Sequence, residues 1–200
     1  MSNDRPSHVS LLAHPACRSE GVRRVAACAE PAGPDLLRFR YLLEADLRRV
    51  RIPSAAGVGR ADGLWAHTCF EAFVGIPDST RYLELNFSPS GQWAGYRFDS
   101  YRAGLAPALR SAPRLALRLG EERLELDAEV HLDGSLYSPV PGPRVPGLAR
   151  LRIALSAVVE DREGRLSYWA LRHPPGRPDF HHPESFSLAL ELPRQPLNSP

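Results

Sequence analysis

Lysine is missing from this chain: all 25 basic residues are arginine. Chemistry that needs an amine side chain is therefore excluded, including Schiff-base formation, a lysine general base and a phosphate-binding P-loop. Cysteine is scarce and odd in number, at Cys17, Cys28 and Cys69, without CxxC spacing. That pattern gives no disulfide framework and reads as reduced thiols in a cytoplasmic protein. No apolar run approaches the about 18 residues a helix needs to cross a bilayer, and Met1 to Arg18 lacks the basic start and apolar core of a signal peptide. Basic residues form no concentrated stripe beyond Arg48, Arg49 and Arg51, and the formal net charge is +2. The expectation is a chain that binds neither nucleic acid nor membrane. Nothing in the sequence assigns an oligomeric state.

What the chain does have is turn residues and alternation. Twenty prolines and fifteen glycines interrupt it too often for long helices. Between the breaks, segments such as Leu36–Glu44 place Leu37, Phe39, Tyr41 and Leu43 out of phase with Arg38, Arg40 and Glu44, the period-two pattern of a half-buried strand. Further strands are expected at Val9–His14, Val22–Cys28, Trp65–Ile76, Arg81–Ser88, Gln92–Ser100, Arg114–Leu119, Arg123–His131, Leu151–Glu160, Leu166–Leu171 and Phe186–Leu192. Val50–Pro53 reads as a short or edge strand and Ser54–Asp62 as a loop. Asp133–Gly147 reads as a long Pro/Gly loop, and Tyr101–Arg110 as at most a turn or two of helix. About ten strands with little helix predict an all-β fold, an antiparallel β-sandwich of jelly-roll or immunoglobulin-like type. One domain is expected over residues 1–193, followed by a loose tail over 194–200.

The segment Leu64–Arg102 carries the main functional signal. Its first strand is expected to show Thr68, Phe70, Ala72 and Val74 on one face and Trp65, His67, Cys69, Glu71 and Phe73 on the other. In the second strand Leu83, Leu85 and Phe87 face the core, leaving Tyr82, Glu84 and Asn86 together. Ser88-Pro89-Ser90-Gly91 reads as a tight turn. The third strand sets Trp93, Gly95, Arg97 and Asp99 against Gln92, Ala94, Tyr96 and Phe98.

Joined on one sheet, Trp65, His67, Glu71, Tyr82, Glu84, Asn86, Trp93 and Arg97 make a candidate binding face for a small polar ligand. Aromatic rings pack on the apolar side of a sugar, and acids, amides and arginine hold its hydroxyls. The competing reading is a polar outer sheet face where Glu71, Glu84 and Arg97 form cross-strand ion pairs. A single bulge would exchange the faces.

The runs LWAHTCFEAFVGIP, YLELNFSPSGQWAGYRFDSYR and YWALRHPPGRPDFHHPESFSLAL, in that order, resemble bacterial DOMON-like domain proteins, distant relatives of the family 9 carbohydrate-binding modules. The resemblance extends from Leu64 to the last strand. It implies a β-sandwich whose relatives bind sugars or haem. Haem held by methionine and histidine is disfavoured here, because Met1 is the sole methionine. Histidine ligation through His67, His131 or His182, or a Cys69 thiolate, stays open. His173, His181 and His182 with Asp179 and Glu184 invite a metal reading, although their spacing fits no standard pattern and the loop suits a stiff crossover or the rim of a cleft. Glu71 and Glu84 also admit a glycoside-hydrolase reading, while the nucleophile elbow of a serine hydrolase is absent. The expectation is a non-catalytic module for a saccharide or sugar-containing metabolite, without a cofactor. A haem or metal binder is its first rival and a hydrolase its second.

Overall fold

A computed structural model describes residues 8–17, 20–33, 35–54, 57–132 and 150–192. Among them the chain is nearly all β, with thirteen strands and two short 3-10 turns. The strands are β1 (Val9–Ala13), β2 (Val22–Pro31), β3 (Leu36–Ala45), β4 (Gly59–Arg60), β5 (Cys69–Gly75), β6 (Tyr82–Phe87), β7 (Gln92–Phe98), β8 (Ala106–Pro107), β9 (Arg114–Leu119), β10 (Arg123–His131), β11 (Arg150–Glu160), β12 (Leu166–Ala170) and β13 (Leu188–Glu191). The Pro/Gly segment Asp133–Gly147 and the tail after Pro193 lie outside the described residues.

Hydrogen bonding links the strands into one path, β4-β7-β6-β5-β11-β12-β1-β2-β3-β10-β9, with β13 on β11 and β8 on β7. The path curls so that its two limbs face each other, with β1 bonding β12 on one limb and β2 on the other. The sheet bends around a core between the limbs, the nearly all-β architecture that was expected. β3 and β10 supply one wall, because their alternation puts Leu37, Phe39, Tyr41 and Leu43 opposite Val130, Ala128, Leu126 and Leu124. Leu83, Leu85, Phe70 and Phe87 supply the other. The Tyr41 ring stacks on Phe70 at 5.0 Å, and its hydroxyl donates to the Glu71 carbonyl oxygen at 2.7 Å, joining the limbs. Burying each of the large apolar side chains among these contributes on the order of 1.5–3 kcal/mol.

The outer faces of the two limbs differ. On β2, β3 and β10 it is a ladder of ions, with Arg38 bridging Glu129 at 2.6 Å and Glu30 at 3.1 Å, and Arg40 reaching Glu30 at 2.9 Å. On β5, β6, β7 and β11 it is a second apolar cluster that includes Phe73, Tyr82, Tyr96, Phe98, Val158 and Phe180. The first is an ordinary solvated sheet face. The second is covered.

Several local expectations are corrected. Trp65 does not begin a strand: Leu64–Ala66 is a 3-10 turn entered through Gly63 at φ 75°, and β5 starts at Cys69. Val50 forms only a single bridge, to Asp161. The loop over 54–62 contains β4, parallel to β7. Tyr101–Arg110 forms no helix; it turns tightly at Ser100–Ala103 and then adds β8 to β7.

Candidate functional site

The covered outer face becomes a site because the register puts polar groups in neighbouring positions. Residues directly opposed in antiparallel strands project from the same side, with Cβ atoms about 4.5–5.5 Å apart. Glu71 on β5 is opposed by Asn86 on β6 and by Ser156 on β11. Glu84 on β6 is opposed by Phe73 and by Tyr96 on β7, and Tyr82 by Phe98. Apolar neighbours thus frame two carboxylates that the strands hold on a rigid floor.

Three loops wall this floor into a cavity of about 450 Å³, within the size class of small-molecule sites. Trp65 and Ala66 come from the 3-10 turn, Arg102 and Leu105 from the segment after β7, and Pro178, Phe180 and His181 from the connection between β12 and β13. Tyr96, Phe98, Val158, Leu166 and Tyr168 complete the sides from the sheet itself. Trp65 stands at the mouth, 46% exposed, with its ring edge-on to Tyr96 at 5.9 Å. The Tyr96 hydroxyl donates to Asp62, whose loop also places the Arg60 guanidinium 5.5 Å from the Tyr96 ring.

The polar groups are fixed by a network below the cavity. Asn86 Nδ2 donates to Glu84 Oε1 at 2.7 Å. The Tyr82 hydroxyl accepts the Arg102 backbone N–H at 3.1 Å and lies 2.8 Å from His181 Nδ1. The hydroxyl has one donor and a second acceptor position left, so it meets either tautomer of the neutral imidazole, donating to Nδ1 or accepting from Nδ1–H. His181 Nε2 is 3.5 Å from Glu84 Oε2. Asp179 accepts from Arg102 Nη2 at 2.9 Å, from the Tyr101 hydroxyl at 2.6 Å and from the His181 backbone N–H at 3.1 Å.

Burial sets the charge states. Glu71 is 3% exposed and Glu84 6%. Desolvation, then the neighbouring Glu84 charge, pushes the Glu71 carboxyl well above the usual carboxylate range. Glu84 is also raised by burial, against the opposing pull of its Asn86 hydrogen bond and of Arg102. Burial, then the Arg102 charge, drives His181 down to about 4, so it is a neutral imidazole at physiological pH.

The sequence-derived residues divide into three groups. Trp65, Glu71 and Glu84 line the cavity. Tyr82 and Asn86 lie beneath it and hold His181 and Glu84. The others are elsewhere. His67 turns outward and pairs with Glu160 at 2.7 Å, beside Arg51. Trp93 packs in the core between the limbs, and Arg97 is opposed to Leu83 on that same inner side.

The exchange of Trp93 and Arg97 for Tyr96 and Phe98 has one cause. A four-residue turn over Ser88–Gly91 would pair Glu84 with Gly95. Instead Ser88 N donates to Gln92 O at 2.9 Å and Gly91 takes φ 87°, which inserts one further residue and pairs Glu84 with Tyr96. Gly91 was the available signal. The ion-pair reading falls with the same shift, because Arg97 is on the opposite face from Glu71 and Glu84.

The histidine-rich segment does not converge either. His181 enters the cavity, while His182 caps the 3-10 turn Pro183–Ser185 by accepting the Glu184 N–H. His173 Nε2 lies 2.9 Å from the Leu12 carbonyl oxygen. No group of three His, Cys, Asp or Glu among the described residues is placed to hold a metal ion. Cys69 is fully buried, its thiol 3.8 Å from Asn86 Oδ1, and burial raises it well above its ordinary value.

No family model and no curated protein sequence matches this chain. Its fold is similar to that of two solved structures. One, from Bacteroides uniformis and described as a "putative carbohydrate-binding protein", is 16% identical with a TM-score of 0.67, over 92% of this chain and 84% of that one. The other is a family 9 carbohydrate-binding module from Caldicellulosiruptor kristjanssonii in complex with glucose, 10% identical with a TM-score of 0.51, over 91% and 82% of the two chains. The likeness is one of fold, and the expected relation to family 9 modules holds at that level.

Proposed function

We propose that this protein is a non-catalytic binding module for a saccharide or sugar-containing metabolite, built on a DOMON-like β-sandwich and working in the cytoplasm. The observation that carries the reading is the cavity of about 450 Å³ in which Glu71, Glu84 and Arg102 meet Trp65, Tyr96 and Phe98. A sugar ring needs an apolar surface for its C–H groups and fixed polar partners for its hydroxyls, and this cavity offers both. Similarity of fold to a module solved with glucose supports the same reading.

Calorimetry with neutral mono- and disaccharides tests it. A sugar should bind wild-type protein, and Glu84→Gln and Tyr96→Ala should each weaken it; binding unchanged in both variants places the ligand elsewhere. Turnover of a chromogenic glycoside that disappears in Glu71→Gln would assign the two glutamates to hydrolysis instead.

A further inference from the structure

Glu71, which lines the cavity, and Ser156, which lies beside it beneath the floor, each keep a buried oxygen atom with nothing in the protein to bond. Glu71 and Ser156 are directly opposed on β5 and β11, so their side chains rise from one face. Ser156 is 1% exposed, and neither its Oγ nor Glu71 Oε1 has a hydrogen-bond partner. Asn86, directly across from Glu71 on β6, donates to Glu84 instead. A buried carboxylate oxygen without a donor is costly, and natural structures retain one where something else supplies the donor.

The charges around the floor show what is missing. From β6 comes Glu84. From the segment after β7 comes Arg102, whose guanidinium is engaged by Asp179 at 2.9 Å. From the β12–β13 connection comes His181, which is neutral. The remaining titratable neighbours, Tyr82, Tyr96, Tyr168 and the Cys69 thiol, carry no charge near neutral pH. Arg102 acts on both carboxyls from a distance, but its ion pair is with Asp179, which leaves Glu71 and Glu84 without an arginine in ion-pair contact. Burial and the neighbouring Glu84 charge favour the protonated form of Glu71.

We propose that the cavity floor recognises a protonated amine on a hydroxylated ligand, an amino sugar in preference to a neutral one, with Glu71 as counter-ion and Glu84 as a further acceptor. An ammonium group brings three donors and a positive charge, enough for the Glu71 and Glu84 carboxylates together. A sugar hydroxyl brings one donor and no charge. The walls add to the preference, since the rings of Tyr96, Phe98 and Phe180 attract a cation through their quadrupoles. The inference rests on the cavity being the saccharide site and names the class of saccharide.

The test is calorimetry at pH 6.5 with glucose, glucosamine and N-acetylglucosamine, and with methylamine as a bare ammonium. Glucosamine should bind wild-type protein at least about tenfold more tightly than glucose, a difference of about 1.4 kcal/mol, and acetylation should remove the advantage. Binding should release a proton, seen as an enthalpy that varies with the ionisation heat of the buffer. In Glu71→Gln, an isosteric change whose folding is checked by its melting temperature, glucosamine and glucose should bind alike without proton release. If neutral sugars bind and glucosamine has no advantage, or if its advantage survives in Glu71→Gln, the amine inference is wrong and the saccharide reading stands. If methylamine binds and no sugar does, the saccharide reading is wrong and the amine site stands. If nothing binds, both are wrong.

Discussion

The Tyr82 hydroxyl lies 2.8 Å from His181 Nδ1 and accepts the Arg102 backbone N–H at 3.1 Å, so one atom on β6 ties together two of the three loops that wall the cavity. The ring beneath it stacks on Phe98 at 4.8 Å and meets the His181 ring edge-on at 5.8 Å. Tyr82→Phe therefore keeps the ring and removes the tie. It leaves the His181 nitrogen and the Arg102 amide without a partner, which should cost about 1–3 kcal/mol of stability. Urea denaturation measures the loss, and hydrogen exchange at the Arg102 amide should quicken more than at amides within β6. Equal exchange at both would mean that the hydroxyl does not hold the loops.

Burial of Glu71 and Glu84 gives the stability a pH dependence of defined sign. Both carboxyls are raised above the ordinary value of 4.5, so between that value and their raised ones the folded chain holds more protons than the unfolded chain. Their contribution is full below about pH 4.5 and is lost as pH rises through the raised values. His181 acts the other way: lowered from 6.5 to about 4, it binds fewer protons when folded, and its contribution is lost as pH falls from 6.5 toward 4. The melting temperature should therefore fall as pH rises through the mildly acidic to neutral range wherever the carboxyl contribution exceeds that of His181. In Glu71→Gln the fall should flatten, and the variant should melt above wild type at pH 8 and close to it at pH 5. Parallel melting curves for the two proteins across that range would show that Glu71 is not held protonated.

How much of this was readable beforehand follows from two residues. Glu71 and Glu84 were identified because β5 and β6 alternate cleanly, and alternation fixes which side chains share a face within a strand. Register between strands is a different matter, since it depends on the conformation of the turn. Gly91 at φ 87° adds one residue to the β6–β7 connection, and that residue alone replaces Trp93 and Arg97 by Tyr96 and Phe98. Nothing periodic marks the rest of the site. Arg102, Phe180 and His181 arrive from irregular segments whose positions are set by contacts distant in sequence, such as Arg102 with Asp179. The PPGRPDFHH run was legible as the rim of a cleft but not as the source of His181 in its wall.

The two tryptophans assigned to the same face in sequence should behave as opposites. Trp93, 8% exposed, packs in the core between the limbs. Trp93→Ala should cost about 3–5 kcal/mol of stability. Trp65 stands half-exposed at the cavity mouth against Tyr96. Trp65→Ala should cost less than about 1 kcal/mol in stability while weakening sugar binding roughly five- to tenfold, the scale of one aromatic contact. Denaturation and calorimetry on the two variants separate the roles. A Trp65→Ala protein that binds every ligand as wild type does would remove this side chain from the site.

The loop that delivers Arg102 is held in left-handed backbone at two positions, Arg102 at φ 52° and Gly104 at φ 73°. Asp99 N donates to Ala103 O at 2.9 Å and Ala103 N to Ser100 O at 3.0 Å, so the turn between them is closed tightly. A Cβ at Gly104 would run into the Asp99 side chain as well as occupy a conformation that costs an L-residue about 1–2 kcal/mol. Gly104→Ala should therefore lose at least that much stability and weaken binding together with it, and Gly104→Asn, which tolerates left-handed backbone better but whose Cβ meets the same Asp99 side chain, should lose stability as well. Arg102→Gly makes the opposite combination. Removing the side chain relieves strain that arginine bears, but also removes the pairing with Asp179 and the one cationic group of the cavity wall. Its stability should stay within about 1 kcal/mol of wild type while ligand affinity changes. Chemical denaturation with calorimetry on the three variants decides this: affinity and stability falling together in Arg102→Gly would make the residue a structural tie and not part of the binding wall.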